Sequence, residues 1–148
     1  MIWLLTSFEE VFNSFKNKII DYDFLDFTEE EEYILLNESL KSALVKFKAK
    51  RRNIKADYDL RVFNRELEPE EVESLSYWLV YEWCLKKVND VEIVRYSLST
   101  SQFKGFSKKN HLDGLINNKN NAEYDAMYYM NNMDSENLKI ELSKKYEL

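Results

Sequence analysis

The chain has 148 residues, 45% of them apolar and 32% charged, and its 21 basic residues against 27 acidic ones leave a net charge of −6. That length suits one domain with a packed core, and the negative balance argues against a protein that grips nucleic acid mainly by its phosphates. Two glycines and one proline exclude glycine-rich phosphate loops, collagen and turn-dense β-sandwiches, and favour helices.

The single cysteine, Cys84, rules out an internal disulfide and points to a reducing compartment. The run Met1-Ile2-Trp3-Leu4-Leu5-Thr6 is short for a signal peptide and has no basic start. No apolar stretch approaches the roughly 20 residues that cross a bilayer, so no membrane association is expected. Aromatic residues reach 15%. A monomer of this size has difficulty hiding so many rings, which suggests buried contact with other chains.

In chain order, Ser7-Phe8-Glu9-Glu10 reads as a capping box, and Phe8, Val11, Phe12, Phe15 and Ile19 follow at helical spacing. A first helix is predicted over 8–20. Residues 21–27 form a loop alternating acids with aromatics. Thr28-Glu29-Glu30-Glu31 is a second capping box, and its acidic turn suits the positive end of a helix dipole. Tyr33, Leu36, Leu40, Ala43, Leu44 and Phe47 make the apolar stripe of a second helix ending near Arg51. Ile54, Ala56, Tyr58, Leu60 and Val62 then alternate with polar residues, the period of a strand.

Pro69 fits the first position of a third helix, and Leu67 with Val72 can staple its start. Its surface is apolar almost all round to about Lys87, so it is predicted to be the central helix. Residues 91–98 are β-branched and read as a strand or linker. Ser107 is placed to cap a last helix over 108–133, weakened in its middle by the asparagines of 117–121. Leu138, Ile140 and Leu142 alternate again, as in an arm that pairs as a strand with a neighbour. The expected architecture is mainly α: a small helical bundle over 1–134 with one long buried central helix, short extended segments, and a C-terminal arm over 135–148.

No constellation of residues supports catalysis. Cys84 and His111 are the lone members of their types, and Cys84 sits among Trp83, Leu85 and Val88 as a small core residue. A metal site built on His111 lacks further His or Cys ligands. Asp21, Asp23 and Glu32 match positions one, three and twelve of a calcium loop, but Leu25 and Asp26 occupy positions that need a ligand and a glycine. Glu29–Glu32 could supply metal carboxylates, yet consecutive helical residues point different ways. No cofactor, metal or enzymatic activity is therefore expected. The basic run Lys46–Lys55, interrupted by Phe47, is the one nucleic-acid signal, and it coincides with a helix end where cations are expected anyway. It supports an alternative reading as a small helical nucleic-acid-binding or regulatory protein. The aromatic cluster of Tyr77, Trp78, Tyr81 and Trp83 with Tyr124, Tyr128 and Tyr129 reads mostly as core, with some rings left over for an interface.

Two segments carry a family resemblance. Val62-Phe-Asn-Arg-Glu-Leu-Glu-Pro-Glu-Glu-Val leads into a long apolar helix with a Trp-containing stretch, and Leu98-Ser-Thr-Ser-Gln-Phe-Lys-Gly-Phe-Ser-Lys-Lys-Asn-His-Leu follows. In this order, across roughly 62–133, they resemble the head–tail connector (adaptor) proteins of long-tailed bacteriophages. The resemblance implies a non-enzymatic virion protein of the phage neck, made in the bacterial host cytoplasm. Such proteins form a ring, commonly of twelve copies, below the portal protein. The ring extends the DNA channel without sequence-specific binding and offers a platform to a tail-side stopper or tail-completion protein. Net negative charge agrees with a conduit past which phosphates slide. On this reading Phe103, Phe106, Ser107, Asn110 and His111 form a structural turn. Leu138, Ile140, Leu142, Tyr146 and Leu148 are the partner-facing residues of the arm.

Overall fold

The computed structural model describes residues 4–19, 27–48, 54–97 and 106–146. In chain order these form α1 (Phe8–Lys18), α2 (Glu29–Lys48), β1 (Ala56–Asp57), β2 (Val62–Phe63), α3 (Pro69–Ser97) and α4 (Phe106–Tyr146). The fold is mainly helical, as the composition predicts. Both predicted caps are made: Ser7 Oγ accepts from the Glu10 amide, and Thr28 Oγ1 from the Glu31 amide. Each hydroxyl satisfies one of the donors that a helix start leaves unpaired.

The alternating segment becomes a hairpin rather than one strand. Ala56 pairs with Phe63 and Asp57 with Val62, antiparallel. The reversal lies at Asp57, whose Oδ1 accepts from the amides of Asp59 and Leu60. Such a side-chain-to-backbone turn competes with an extended chain. The N-terminal segment adds to the hairpin: Phe63 N–H donates to the Thr6 carbonyl, Phe8 N–H to the Arg61 carbonyl, and Ser7 bridges Val62. Phe8 is thereby set against Phe63, ring centroids 5.0 Å apart.

The start of α3 is fixed by a buried ion pair. Glu71, 1% exposed, receives Arg65 in bidentate fashion at 2.8 and 2.5 Å. Its Oε1 also accepts from the Glu68 amide, and the Glu68 carbonyl accepts from Val72. Glu71 is thus the N3 half of a capping box whose N-cap is Glu68, with Pro69 at N1. Buried Thr6 accepts the Leu67 amide at 2.8 Å, which ties the chain's beginning to the same corner.

All three other helices pack on α3, α4 most extensively. On one flank, Phe15 of α1 meets Trp83 edge-on, while Ser14 and Lys18 reach Glu73 and Ser76. Leu36, Leu40, Ala43, Leu44 and Phe47 of α2 close the core beside Leu75 and Leu79. On the other flank, Ser74 donates to the Ala126 carbonyl, Tyr77 stacks on Tyr129, and Lys119 stands over Tyr81. The two residue numbers move in opposite directions between Ser74–Ala126 and Tyr81–Lys119, so α3 and α4 are antiparallel. Ala122 and Ala126, both buried, let the backbones approach.

Two segments expected to be extended, 91–98 and the arm around 138–142, are helical where described. Residues 91–97 continue α3, which therefore runs well past Lys87. The last helix begins at Phe106, spans the asparagine-rich middle, and continues to Tyr146. Residues 138–142 are thus helix, not a pairing strand. The physical reason is shared: once a helix is nucleated, each further residue adds a hydrogen bond at little cost, so β-branched or asparagine-rich stretches propagate it where no Gly or Pro interrupts. Leucine, lysine and glutamate in the arm are also strong helix formers.

Replacing Arg65 with Ala takes the bidentate guanidinium away from the buried Glu71 carboxylate, at an expected cost of about 3 kcal/mol in chemical denaturation. Adding Glu71→Gln in that background should recover part of the loss. Equal losses in the single and double variants would show that Arg65 acts through packing rather than charge.

Candidate interaction surfaces

At 1.5 Å per residue, α4 is about 60 Å long and α3 about 43 Å. In the register set by Ser74–Ala126, the α3 start lies opposite the residues near Met130. Met130 and Met133 are buried, and beyond them α4 runs past its partner helix. Leu138 (56% exposed), Ile140, Leu142 and Tyr146 (60%) are all open to solvent there. Leu148 lies outside the described residues.

Helical spacing orders these side chains in a way alternation did not. At about 100° per residue, Tyr124, Tyr128, Leu138, Leu142 and Tyr146 fall within an arc of about 80° on one face, and Ile140 falls on the opposite face. Tyr124 and Tyr128 are exposed as well. Leftover aromatics therefore do reach the surface, on the same stripe as the arm. Lys139 and Lys145 flank this stripe, one on each side, and both are exposed.

The structural-turn residues fall differently. Phe103 lies outside the described residues. Phe106, Ser107, Asn110 and His111 belong to the first turns of α4 as helical backbone, so Ser107 lies within the helix rather than before it. Cys84 is buried on α3. Among the described residues no group of three or more His, Cys, Asp or Glu side chains could hold a metal ion. Asp21, Asp23 and Asp26 lie outside them. Glu32 is paired with Lys16 and Glu30 with Arg61, so the acidic run spreads over several faces. No helix among the described residues is long and apolar enough to cross a membrane.

Phe47 is fully buried in the core, as its place in the apolar stripe of the second helix predicts, so it offers no stacking ring to the alternative nucleic-acid reading. Lys46 turns onto α3, pairing with Glu82 and standing over Tyr81. Lys50, Arg51 and Arg52 lie outside the described residues, and Lys55 is exposed.

A second surface went unread in the sequence because its walls come from three distant segments. A cleft of about 450 Å³ lies between α1, the start of α2 and the hairpin turn, lined by Phe12, Tyr33, Leu36, Leu60, Glu9 and Glu29 among others. Leu60 stands at its mouth, 71% exposed. Beside it, Arg61 adopts a left-handed φ of 58° and lays its guanidinium 3.5 Å from the centre of the Tyr33 ring. The cation–π contact helps hold a backbone conformation that L-residues avoid.

Arg61→Gly should be more stable than Arg61→Ala by about 1 kcal/mol in thermal or denaturant unfolding, because glycine adopts positive φ freely. An Ala variant as stable as the Gly variant would show that the turn relaxes. At the α3–α4 seam, burial first, then Asp125, Tyr129 and Glu73, push the Tyr77 phenol above its ordinary value of 10.0. A raised pKa in the fold means the contribution is whole below pH 10 and is lost as pH rises through the shifted value. Tyr77→Phe keeps the stacked ring and should lose less stability than the parent between neutral and strongly alkaline pH. Parallel melting curves of the two chains would contradict this.

No family model matches the chain, and no solved structure matches it. The chain is similar to an uncharacterised protein, YomZ, derived from the SPbeta prophage of Bacillus subtilis strain 168. The two are 28% identical over 128 residues, covering 77% of this chain and 95% of that protein.

Proposed function

We propose that this chain is a structural assembly protein of a tailed bacteriophage, and specifically a ring-forming head–tail connector of the neck. The observation that carries the reading is the end of α4, a helix that outruns its own bundle and presents Leu138, Leu142 and Tyr146 to solvent. Exposed apolar side chains on a projecting element serve contact with another chain better than they serve a monomer. The similarity to a prophage-derived protein supports the phage origin. The connector-like pattern across 62–133 supports the place in the particle.

On this reading the copies form a ring below the portal protein, extend the DNA channel, and receive a tail-side stopper or tail-completion protein. DNA passes through without sequence-specific contact, which suits a chain with net charge −6. A subunit of such a ring can be monomeric alone, because contacts weak singly become strong when many act together.

Negative-stain imaging with mass photometry, on the free protein and on particles that contain it, tests the proposal. A ring, or antibody-labelled density at the capsid vertex, is the expected result. A monomer in solution with no particle association would overturn it.

A further inference from the structure

We infer that copies of this chain join head to tail, the projecting end of α4 of one copy entering the cleft between α1, α2 and the hairpin of the next. The inference deepens the ring reading and rests on it. It names the two surfaces that meet.

The two surfaces match in polarity and in layout. The arm offers an apolar ridge, Leu138, Leu142 and Tyr146, with Lys139 and Lys145 on its two sides. The cleft offers an apolar floor of Phe12 and Leu36 between two walls, Glu9 on the α1 side and Glu29 on the α2 side. Its two bases are already engaged, Lys16 with Glu32 and Arg61 with Glu30. Glu9 and Glu29 have no ion-pair partner among the described residues and are exposed. A ridge flanked by cations thus meets a trough flanked by anions, the complementarity that fixes register in an interface. The room in the cleft suits a few large apolar side chains.

A chain's own arm does not fill its own cleft. No α4 residue lines the cleft: α4 packs along α3, where it shares Tyr77 with α1 and Tyr81 with α2, and its last part is continuous helix without Gly or Pro after Gly114. Bending back would break backbone hydrogen bonds for no local gain. Because arm and cleft are different surfaces, the contact is heterologous, and a heterologous contact closes into a ring when its rotation allows.

Cross-linking full-length chains at high concentration tests this even where the free protein is monomeric. One chain carries Leu142→Cys, its mate Leu60→Cys at the cleft mouth or, as a control, Val45→Cys on the exposed face of α2; Cys84 is buried. A bismaleimide should join Leu142→Cys to Leu60→Cys at least several-fold more than to Val45→Cys. The excess should vanish with Lys139→Glu and Lys145→Glu, and return when the mate carries Glu9→Lys and Glu29→Lys. Equal yields at the two sites would overturn the inference, leaving the arm for a different protein. Rings seen by imaging together with equal yields would overturn the arm-in-cleft contact and leave the connector reading standing. A specific cross-link without closed rings would uphold the contact and count against the ring.

Discussion

The Glu71 carboxylate is the constraint on which the rest of the structure depends. It lies almost fully buried, and such a charge is tolerable only while its partners hold. Those partners come from the loop before α3 and from the α3 N-terminus itself, while Thr6 binds the same loop from the beginning of the chain. One acid therefore decides where the central helix starts, how the hairpin leaves it, and where α1 enters. The Arg65 guanidinium is held above its ordinary pKa chiefly by its hydrogen bond to Glu71, so it stays charged across any ordinary pH.

From that corner α3 acts as a partition. Its α1–α2 flank carries the phenylalanine-rich core and a polar seam around Glu73. Its α4 flank is a long two-helix contact built on alanines, a buried serine and stacked tyrosines. Among the described residues the first flank leaves open a cleft walled by Glu9 and Glu29, and the second an apolar ridge. A partition with unlike faces on its two sides suits chain-to-chain repetition better than twofold pairing.

Much of the fold was legible in the sequence, and the pattern of what was not is physical. Ser7 and Thr28 announced their helices because a cap is a local interaction, and Pro69 did the same for α3. The extents of α3 and α4 were hidden, because propagation depends on the neighbouring turn more than on the identity of residues such as Val91 or Ile140. Leu138, Ile140 and Leu142 satisfy period two, but Leu138, Leu142 and Tyr146 satisfy the helical period equally well, and so short a run cannot arbitrate between them. The arm reads in the sequence as a strand that pairs with a neighbour; its side chains are exposed, but its conformation is helical. The cleft was illegible for another reason: Phe12, Leu36 and Leu60 meet only once the hairpin and two helices are placed. Phe47 was legible as core despite its lysine neighbours, because it continues the helical spacing of Leu36, Leu40, Ala43 and Leu44.

The helical form of the arm binds reach to direction. A strand extended by one residue reaches further and flips its side chains between two faces, so every second length is equivalent. On α4 each added residue gives about 1.5 Å of reach and turns the ridge by about 100°. Lengths that keep Leu138, Leu142 and Tyr146 facing the same way are therefore spaced by about seven or eleven residues. Relatives with longer or shorter arms would differ by such steps or carry a re-patterned ridge, and under the proposed arm-in-cleft contact the spacing between copies would change in jumps rather than continuously.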